Sequence, residues 1–154
     1  MKIFIGADHG GYALKEALIP WLREQGHEVG DFGTHSTAAV DFPDFAFLVA
    51  QAVVADRAAG RETVGIMIDS IGQASAIVGN KVPGIRAVAG YDDFAVKSSR
   101  EHNDANMLCL GGQVIGVGLA KALVAAWLST PYGGGRHQAR VDKIADVERR
   151  FTRG

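Results

Sequence analysis

Three short segments of the chain combine glycine with polar side chains, and each of them follows an apolar run. They cover residues 6–11 (G-A-D-H-G-G), 69–72 (D-S-I-G) and 111–112 (G-G). Glycines at such turns let the backbone approach a ligand closely and point N–H groups toward it, which favours a phosphate or a developing oxyanion. The first segment does not match G-x-G-x-x-G, and no G-K-[ST] sequence is present. Neither a dinucleotide site nor a nucleoside triphosphate loop is therefore indicated.

Five short apolar runs, alternating with stretches of helical spacing, must position these segments. The predicted strands cover residues 2–5, 28–32, 63–68, 85–89 and 107–110. The continuous apolar runs at residues 63–68, 85–89 and 107–110 are typical of parallel strands that are buried on both faces. Strands alternating with helices predict an α/β fold, a three-layer, Rossmann-like sandwich with a five-stranded parallel sheet. In such sheets ligands bind beyond the carboxyl ends of the strands, where the glycine-rich segments lie.

Helical periodicity fills the intervals between the strands. The first predicted helix runs from Leu14 until Gly26, and the second runs from Phe45 until Gly60. The later ones cover residues 92–100, with Asp92 as an N-cap, 117–128 and 138–151. Pro20 predicts a kink or a later start of the first helix, because proline lacks an N–H and clashes with the preceding turn. No repeat, low-complexity tract or linker interrupts the chain, so we expect a single domain over residues 1–154.

Composition narrows the classes of partner. The 154 residues include 16 Lys plus Arg against 17 Asp plus Glu, a net charge of −1 that gives no basic excess for nucleic acid or a membrane surface. No apolar run approaches the roughly 20 residues that span a bilayer. The one cysteine, Cys109, cannot form an internal disulfide, and the first residues lack an export signal. We therefore expect a cytoplasmic protein with a small-molecule partner, and no Cys/His cluster has metal-ligand spacing.

Five collinear motifs connect the chain to a known family. G-A-D-H-G-G-Y-A-L-K begins at residue 6, and D-F-P-D, N-K-V-P-G, S-R-E-H-N-D-A-N and G-G-R-H-Q-A-R cover residues 41–44, 80–84, 99–106 and 134–140. With these motifs the chain resembles the ribose-5-phosphate isomerase B and galactose-6-phosphate isomerase family from Lys2 to about Ile144. The resemblance implies a dimer with active sites between subunits. It also implies aldose–ketose isomerisation of a sugar phosphate through an enediol, without a metal or another cofactor.

The resemblance assigns substrate-binding roles to the glycine-rich segments. Asp8 is expected to contact the sugar hydroxyls, and His9 is expected to contact the phosphate. Ser70, Ile71 and Gly72, in the loop after the third strand, are expected to line the substrate site.

The same resemblance assigns roles to two motifs near the end of the chain. His102 and Asn103 are expected to reach into the site of the neighbouring subunit. A histidine side chain suits the proton transfer that opens the sugar ring, and an asparagine amide can polarise a carbonyl oxygen. Arg136 and Arg140 are four residues apart at the start of the last helix, so both guanidinium groups can converge on one phosphate. His137 is interpreted as structural.

The loop after the third strand departs from the ribose-phosphate branch of this family. That branch usually reads C-G-T-G-I-G, with the cysteine as the base that removes the proton next to the carbonyl, whereas this chain reads D-S-I-G-Q-A. Asp69 is therefore our candidate base, beside a turn whose amides can stabilise the developing oxyanion; the alternative is that it caps the following helix. Cys109 lies on another strand and is interpreted as a core residue. Gln113 stands where the ribose-phosphate branch commonly has a phosphate-binding arginine, and Phe42 stands where a tyrosine is usual. These two differences leave the identity of the substrate sugar undetermined.

Three classes of function remain. The first, which we favour, is a self-sufficient isomerase with Asp69 as the base. The second is a subunit resembling the A subunit of galactose-6-phosphate isomerase, which works beside a cysteine-bearing sister subunit. The third is a phosphosugar or nucleotide binder without catalysis. The substrate of an isomerase of this type could be a tetrose, pentose or hexose phosphate.

Overall fold

The computed structural model describes residues 1–152 of the chain. Strands and helices alternate within this part in the order β1 (Lys2–Ala7), α1 (Tyr12–Glu24), β2 (Glu28–Asp31), α2 (Phe42–Ala58), β3 (Thr63–Asp69), α3 (Gln73–Gly79), β4 (Ala87–Ala89), α4 (Asp93–Glu101), β5 (Met107–Gly111), α5 (Val117–Ser129) and α6 (Gln138–Phe151). The predicted alternation is confirmed, and the bounds of the last helix agree with the prediction.

The five strands form one parallel sheet in the order β2-β1-β3-β5-β4. Strand β3 lies at the centre and is buried along its whole length. Its residue Ile66 pairs with Ile5 on one side and with Leu108 on the other. Because β1, β3 and β5 are neighbours, the three glycine-rich segments that follow them meet at one edge of the sheet.

Helices cover both faces of the sheet, so the predicted three-layer, Rossmann-like α/β sandwich is confirmed. Helices α1, α4 and α5 pack on one face through side chains that include Leu18, Val96 and Leu123. Helix α2 packs on the other face through Val49 and Val53, together with the apolar side chains of α3. Full burial of one such side chain contributes roughly 1.5–3 kcal/mol, so these two layers supply most of the stabilisation.

Helix α1 runs through Pro20 without the later start that the sequence suggested. Pro20 is exposed, so the carbonyl of Glu16 that loses its N–H partner faces solvent. The buried side of the helix, which includes Leu14, Leu18 and Leu22, keeps its packing against the sheet. Tertiary packing therefore outweighs the local preference of one residue.

Strand β4 is only three residues long and forms one edge of the sheet. The Asn80 side chain lies along this edge, where its Nδ2 donates to the carbonyl of Ala87 at 2.9 Å and its Oδ1 accepts from the Ala87 amide at 2.8 Å. Asn80 thus satisfies both backbone groups of Ala87.

Candidate active site

Asp8 lies in the loop after β1 and is almost fully buried. Its amide donates to the carbonyl of Ile68 at 3.1 Å, and its Oδ1 accepts from the amides of Gly10 at 2.9 Å and Gly11 at 3.1 Å. Burial raises the pKa of the Asp8 carboxyl, against the opposing effect of these two N–H groups. Within residues 1–152 nothing donates to Oδ2. That oxygen can accept from a sugar hydroxyl.

Two glycines allow the loops after β1 and β3 to pack directly on strand backbone. A Cβ atom at Gly11 would overlap the carbonyl oxygen of Ile68. Gly72 has a φ of 83°, and a Cβ atom there would lie 3.0 Å from the carbonyl carbon of Leu110. Glycine is needed at both positions, and the two loops consequently lie side by side.

The Asp69 carboxylate is enclosed by its own loop, with 3% of the residue exposed. Oδ1 accepts hydrogen bonds from the amides of Ile71, at 2.9 Å, and Gly72. Oδ2 accepts from the amide of Ser75 at 2.9 Å and from the Ser75 hydroxyl at 2.5 Å. A carboxylate has about four acceptor positions, and all four are used here. The amides of Ile71 and Gly72 are therefore bonded to Asp69 and are not free for an oxyanion, which corrects that part of our expectation.

His9 and Gln113 are exposed residues of the loops after β1 and β5. Nδ1 of His9 accepts from the amide of Val40 at 3.2 Å, which holds the imidazole against the loop that precedes α2. The amide of Gln113 donates to the carbonyl of Ser70 at 3.0 Å, and its side chain is exposed. The structure thus brings together at the carboxyl edge all five substrate-binding residues expected there, namely Asp8, His9, Ser70, Ile71 and Gly72.

Tyr91 is a polar residue at this edge that our sequence analysis did not single out. It follows β4, and its hydroxyl donates to the carbonyl of Ile71. Burial, and then the charge of Asp69, raise the pKa of the Tyr91 phenol, so it stays a donor at neutral pH. Its position two residues after a predicted strand is the signal that could have identified it.

Cys109 lies in the middle of β5 and has no exposed surface. Burial, and then the charge of Asp69, raise the pKa of its thiol well above the ordinary range. The thiol therefore stays protonated, and Cys109 is a core residue as expected.

His102 follows the last residue of α4 and is held by two contacts. Its Nδ1 lies 3.0 Å from the Ser98 hydroxyl, one turn earlier in the helix. Its ring stacks on the ring of His137, with centroids 4.3 Å apart and planes 17° from parallel. The stacking makes His137 part of the candidate site, in addition to the structural role expected for it. No spacing rule in the sequence predicts this contact between α4 and the start of α6.

Arg136 and Arg140 lie beside this histidine pair. Arg136 belongs to a 3₁₀ turn, Gly135–His137, and Arg140 lies in the first turn of α6. Desolvation lowers the pKa of His137, and the neighbouring His102, Arg136 and Arg140 side chains lower it further. This concentration of positive charge is suited to an anionic group such as a phosphate.

The two sets of residues lie at opposite edges of the sheet. Helix α4 starts after the carboxyl end of β4, and its nine residues span about 14 Å toward the amino ends of the strands. The turn that carries His102 and Asn103 therefore lies at the amino edge, where the carbonyl of Asn106 accepts from the amide of Gly65 in β3. Within one chain, Asp8 and Asp69 therefore lie at the opposite edge of the sheet from His102 and Asn103.

The part of the chain that the structure describes contains no group of three or more His, Cys, Asp or Glu side chains able to hold a metal ion. None of its helices is long and apolar enough to cross a membrane.

A sequence model of the Ribose/Galactose Isomerase family matches residues 3–144. The chain belongs to this isomerase family. Ribose-5-phosphate isomerase B of Escherichia coli is 44% identical to it over 149 residues, which are 97% of each chain.

Solved structures agree with this isomerase family assignment. Ribose-5-phosphate isomerase B of Clostridium thermocellum has a TM-score of 0.93 and 46% identity, and the match covers 99% of this chain and 100% of that one. The enzyme of the same name from Mycoplasma genitalium, solved with bound ribulose-5-phosphate, has a TM-score of 0.90 and 34% identity over 96% of each chain. These comparisons confirm the family resemblance and the fold.

Proposed function

We propose that this member of the ribose/galactose isomerase family is an aldose–ketose isomerase that acts on a phosphorylated sugar. The observation that carries the proposal is the presence of two complementary sets of residues, one for the reacting carbons and one for the phosphate and the ring oxygen. Relatives named ribose-5-phosphate isomerase B match nearly the whole chain, which makes a pentose phosphate the first substrate to test. The proposal includes no cofactor, and it places the enzyme in the cytoplasm.

The complete site requires a second copy of the chain in this proposal. Helix α6 turns Val141 inward but leaves Ile144 47%, Val147 56% and Phe151 86% exposed. A groove of about 700 Å³ lies beside these side chains. This exposed apolar surface supports a homodimer, alone or as a dimer of dimers, in which a second copy of the chain covers it. Such a dimer allows the amino edge of one protomer to meet the carboxyl edge of the other.

The roles of the residues follow their chemistry. His102 moves the proton that opens the sugar ring, and the Asn103 amide polarises the carbonyl oxygen of the open chain. Asp8 accepts from sugar hydroxyls through its free oxygen. The phosphate is bound by His9 together with Arg136 and Arg140, because their guanidinium groups offer paired donors to its oxygens. Ser70, Ile71 and Gly72 form the wall under the reacting carbons.

Asp69 is the proposed base. It takes the proton from the carbon next to the carbonyl, which leaves a cis-enediolate. The hydroxyl proton of that carbon then passes to the former carbonyl oxygen, and protonated Asp69 delivers a proton, which can exchange with solvent, to the neighbouring carbon. A base needs a free acceptor position, and the Ser75 hydroxyl is the one side-chain donor among the four groups bonded to Asp69. Rotation of that hydroxyl frees a position on Oδ2 without moving the backbone.

The alternative is a galactose-6-phosphate isomerase A-type subunit that needs a cysteine-bearing sister chain. The four hydrogen bonds at Asp69 favour this alternative, because they hold the carboxylate in a structural role within the loop. Cys109 cannot replace the missing thiolate, because it is fully buried in β5.

The deciding experiment incubates the purified chain with ribose-5-phosphate, and separately with tetrose and hexose phosphates, in D₂O. We expect ketose formation with deuterium entering at the carbon next to the carbonyl, as an enediol requires. Turnover only after addition of a cysteine-bearing sister chain would establish the alternative. Tight binding of a sugar phosphate without exchange would leave a non-catalytic phosphosugar-binding protein.

A further inference from the structure

The turn between α4 and β5 carries His102 and Asn103, and its backbone is unusual at the next residue. Asp104 has a φ of 48°, and within residues 1–152 no other residue except glycine has a positive φ. A side chain in this left-handed conformation costs about 1–3 kcal/mol, although aspartate tolerates it better than most residues. Contacts around the turn must therefore stabilise this conformation.

Arg86, which immediately precedes β4, supplies these contacts. Its Nε donates to the carbonyl oxygens of Asn103 at 2.9 Å and Asp104 at 3.0 Å. Its terminal nitrogen donates to Oδ2 of Asp104 at 2.8 Å. One guanidinium group thus fixes the orientation of two successive peptide groups and the carboxylate between them. Both side chains of the pair are only about one-fifth exposed.

The backbone of Arg86 is fixed in turn by Asn106. Oδ1 of Asn106 accepts from the Arg86 amide at 2.8 Å, and its Nδ2 donates to the carbonyl of Gly84 at 2.8 Å. The Asn106 amide donates to the carbonyl of Arg86 at 3.1 Å. Asn106 consequently fixes the backbone of Arg86, and the Arg86 side chain fixes the turn at Asn103 and Asp104.

We propose that Arg86 is a positioning residue for the isomerase reaction, which aims Asn103 and His102 at the substrate by fixing the backbone of Asn103 and Asp104. This inference rests on the proposed function, because that function places Asn103 and His102 in the site. A displacement of about 1 Å in a group that contacts the substrate can lower the rate about 100-fold, so loosening this turn should lower kcat.

Arg57 provides a matched control. Its terminal nitrogen lies 3.8 Å from the same Asp104 carboxylate, but its hydrogen bond goes to the carbonyl of Thr63 at 3.2 Å and not to the turn. Arg57→Lys and Arg86→Lys both keep a positive charge near Asp104. Only Arg86→Lys removes the planar group that holds the carbonyls of Asn103 and Asp104.

The test compares both variants with the parent in kcat, KM and the resonance of the Asn103 side-chain amide in ¹H–¹⁵N NMR spectra. We expect Arg86→Lys to lower kcat about 10- to 100-fold with KM within about twofold, and to shift the Asn103 resonance. Arg57→Lys should change none of the three by comparable amounts. Should Arg86→Lys fail to fold, Asp104→Asn replaces it, because asparagine keeps the left-handed conformation while the ion pair is lost; a kcat loss of about tenfold is then expected.

Equal kcat losses in the two arginine variants, or an unchanged kcat in Arg86→Lys, would overturn the inference. The NMR comparison needs no turnover. If the parent chain does not isomerise any sugar phosphate, the proposed function fails. Separately, an Asn103 resonance in Arg86→Lys that is shifted from the parent no more than in Arg57→Lys overturns the positioning role.

Discussion

The hydroxyl of Ser75 donates a 2.5 Å hydrogen bond to Oδ2 of Asp69, and the Ser75 amide donates to the same oxygen at 2.9 Å. Asp69 is the last residue of β3 and Ser75 lies in the first turn of α3, so this pair connects the strand to the helix that follows it. The same carboxylate thus stabilises the loop and is our proposed base. Stability and rate measurements can separate these two roles.

Asp69→Asn should lower kcat by about 10²–10⁴ with little change in KM, because the amide has no basic lone pair. It should also lower the stability by roughly 1–3 kcal/mol, since the amide nitrogen cannot accept from Ser75. Steady-state rates, measured well below the melting temperature of the variant, test the effect on kcat. Thermal unfolding followed by circular dichroism tests the effect on stability. Alkylation with iodoacetamide should leave the parent active, because Cys109 is fully buried. A lower melting temperature with parental kcat would show that Asp69 only holds the loop.

Two inactive variants should restore activity when they are mixed. Asp69→Asn removes the proposed base at the carboxyl edge, and His102→Ala removes the proposed ring-opening residue at the amino edge. In a mixed dimer one of the two shared sites keeps both residues, so random exchange should give about a quarter of the parental activity. Unfolding and refolding the two proteins together, followed by a turnover assay, measures this recovery. A mixture as inactive as its components would place each site within one protomer.

Arg136→Ala and Arg140→Ala should each raise KM far more than they lower kcat, since contacts with the remote phosphate bind substrate and transition state alike. Loss of one charge-assisted contact should cost about 1.5–3 kcal/mol, or roughly 10- to 150-fold in KM. Arg149→Ala is the control, because Arg149 lies in the last turn of α6, far from Arg140 at its start, and pairs with Asp146. Similar KM values for all three variants would mean that the phosphate binds elsewhere.

Asp8→Asn should stabilise the fold near neutral pH while it raises KM, because the amide Nδ2 cannot accept from a sugar hydroxyl. Burial raises the pKa of the Asp8 carboxyl, so the folded parent binds more protons than the unfolded chain between the ordinary pKa and the raised one, and its stability falls as pH rises through that interval. Asparagine has no charge to bury, and its Oδ1 can still accept from Gly10 and Gly11. Each kcal/mol gained should raise the melting temperature by roughly 2–4 °C. The gain should disappear in acid; a difference that is independent of pH would contradict this cause.

Periodicity predicted those parts of the fold that depend on local patterns. The apolar run before Asp69 predicted a strand buried on both faces, and Asp92 caps α4 as expected, with its Oδ1 accepting from the amide of Ala95 at 2.8 Å. Pro20 shows where this reasoning ends. Its effect on α1 depends on which side of the helix faces solvent, and that follows only from tertiary packing.

The candidate site was predictable as a set of strand-end loops but not as a set of contacts. That Asp8 and Asp69 share an edge follows from parallel strands and short loops. The stacking of His102 on His137, and the contact of Arg86 with Asn103, join residues 35 and 17 positions apart. Such contacts depend on where the turns after α4 and before α6 lie in space, which helical or strand periodicity does not specify.

Asn80 completes the edge of the sheet at β4 by bonding to both backbone groups of Ala87. An open edge strand is a template onto which a strand from another molecule can add, and proteins usually block it with charge, proline or a covering segment. Here one amide side chain occupies the place that a sixth strand would take. Replacing Asn80 with an aliphatic residue would leave the Ala87 N–H and carbonyl without these partners, so this asparagine closes an edge onto which a strand of another molecule could otherwise add.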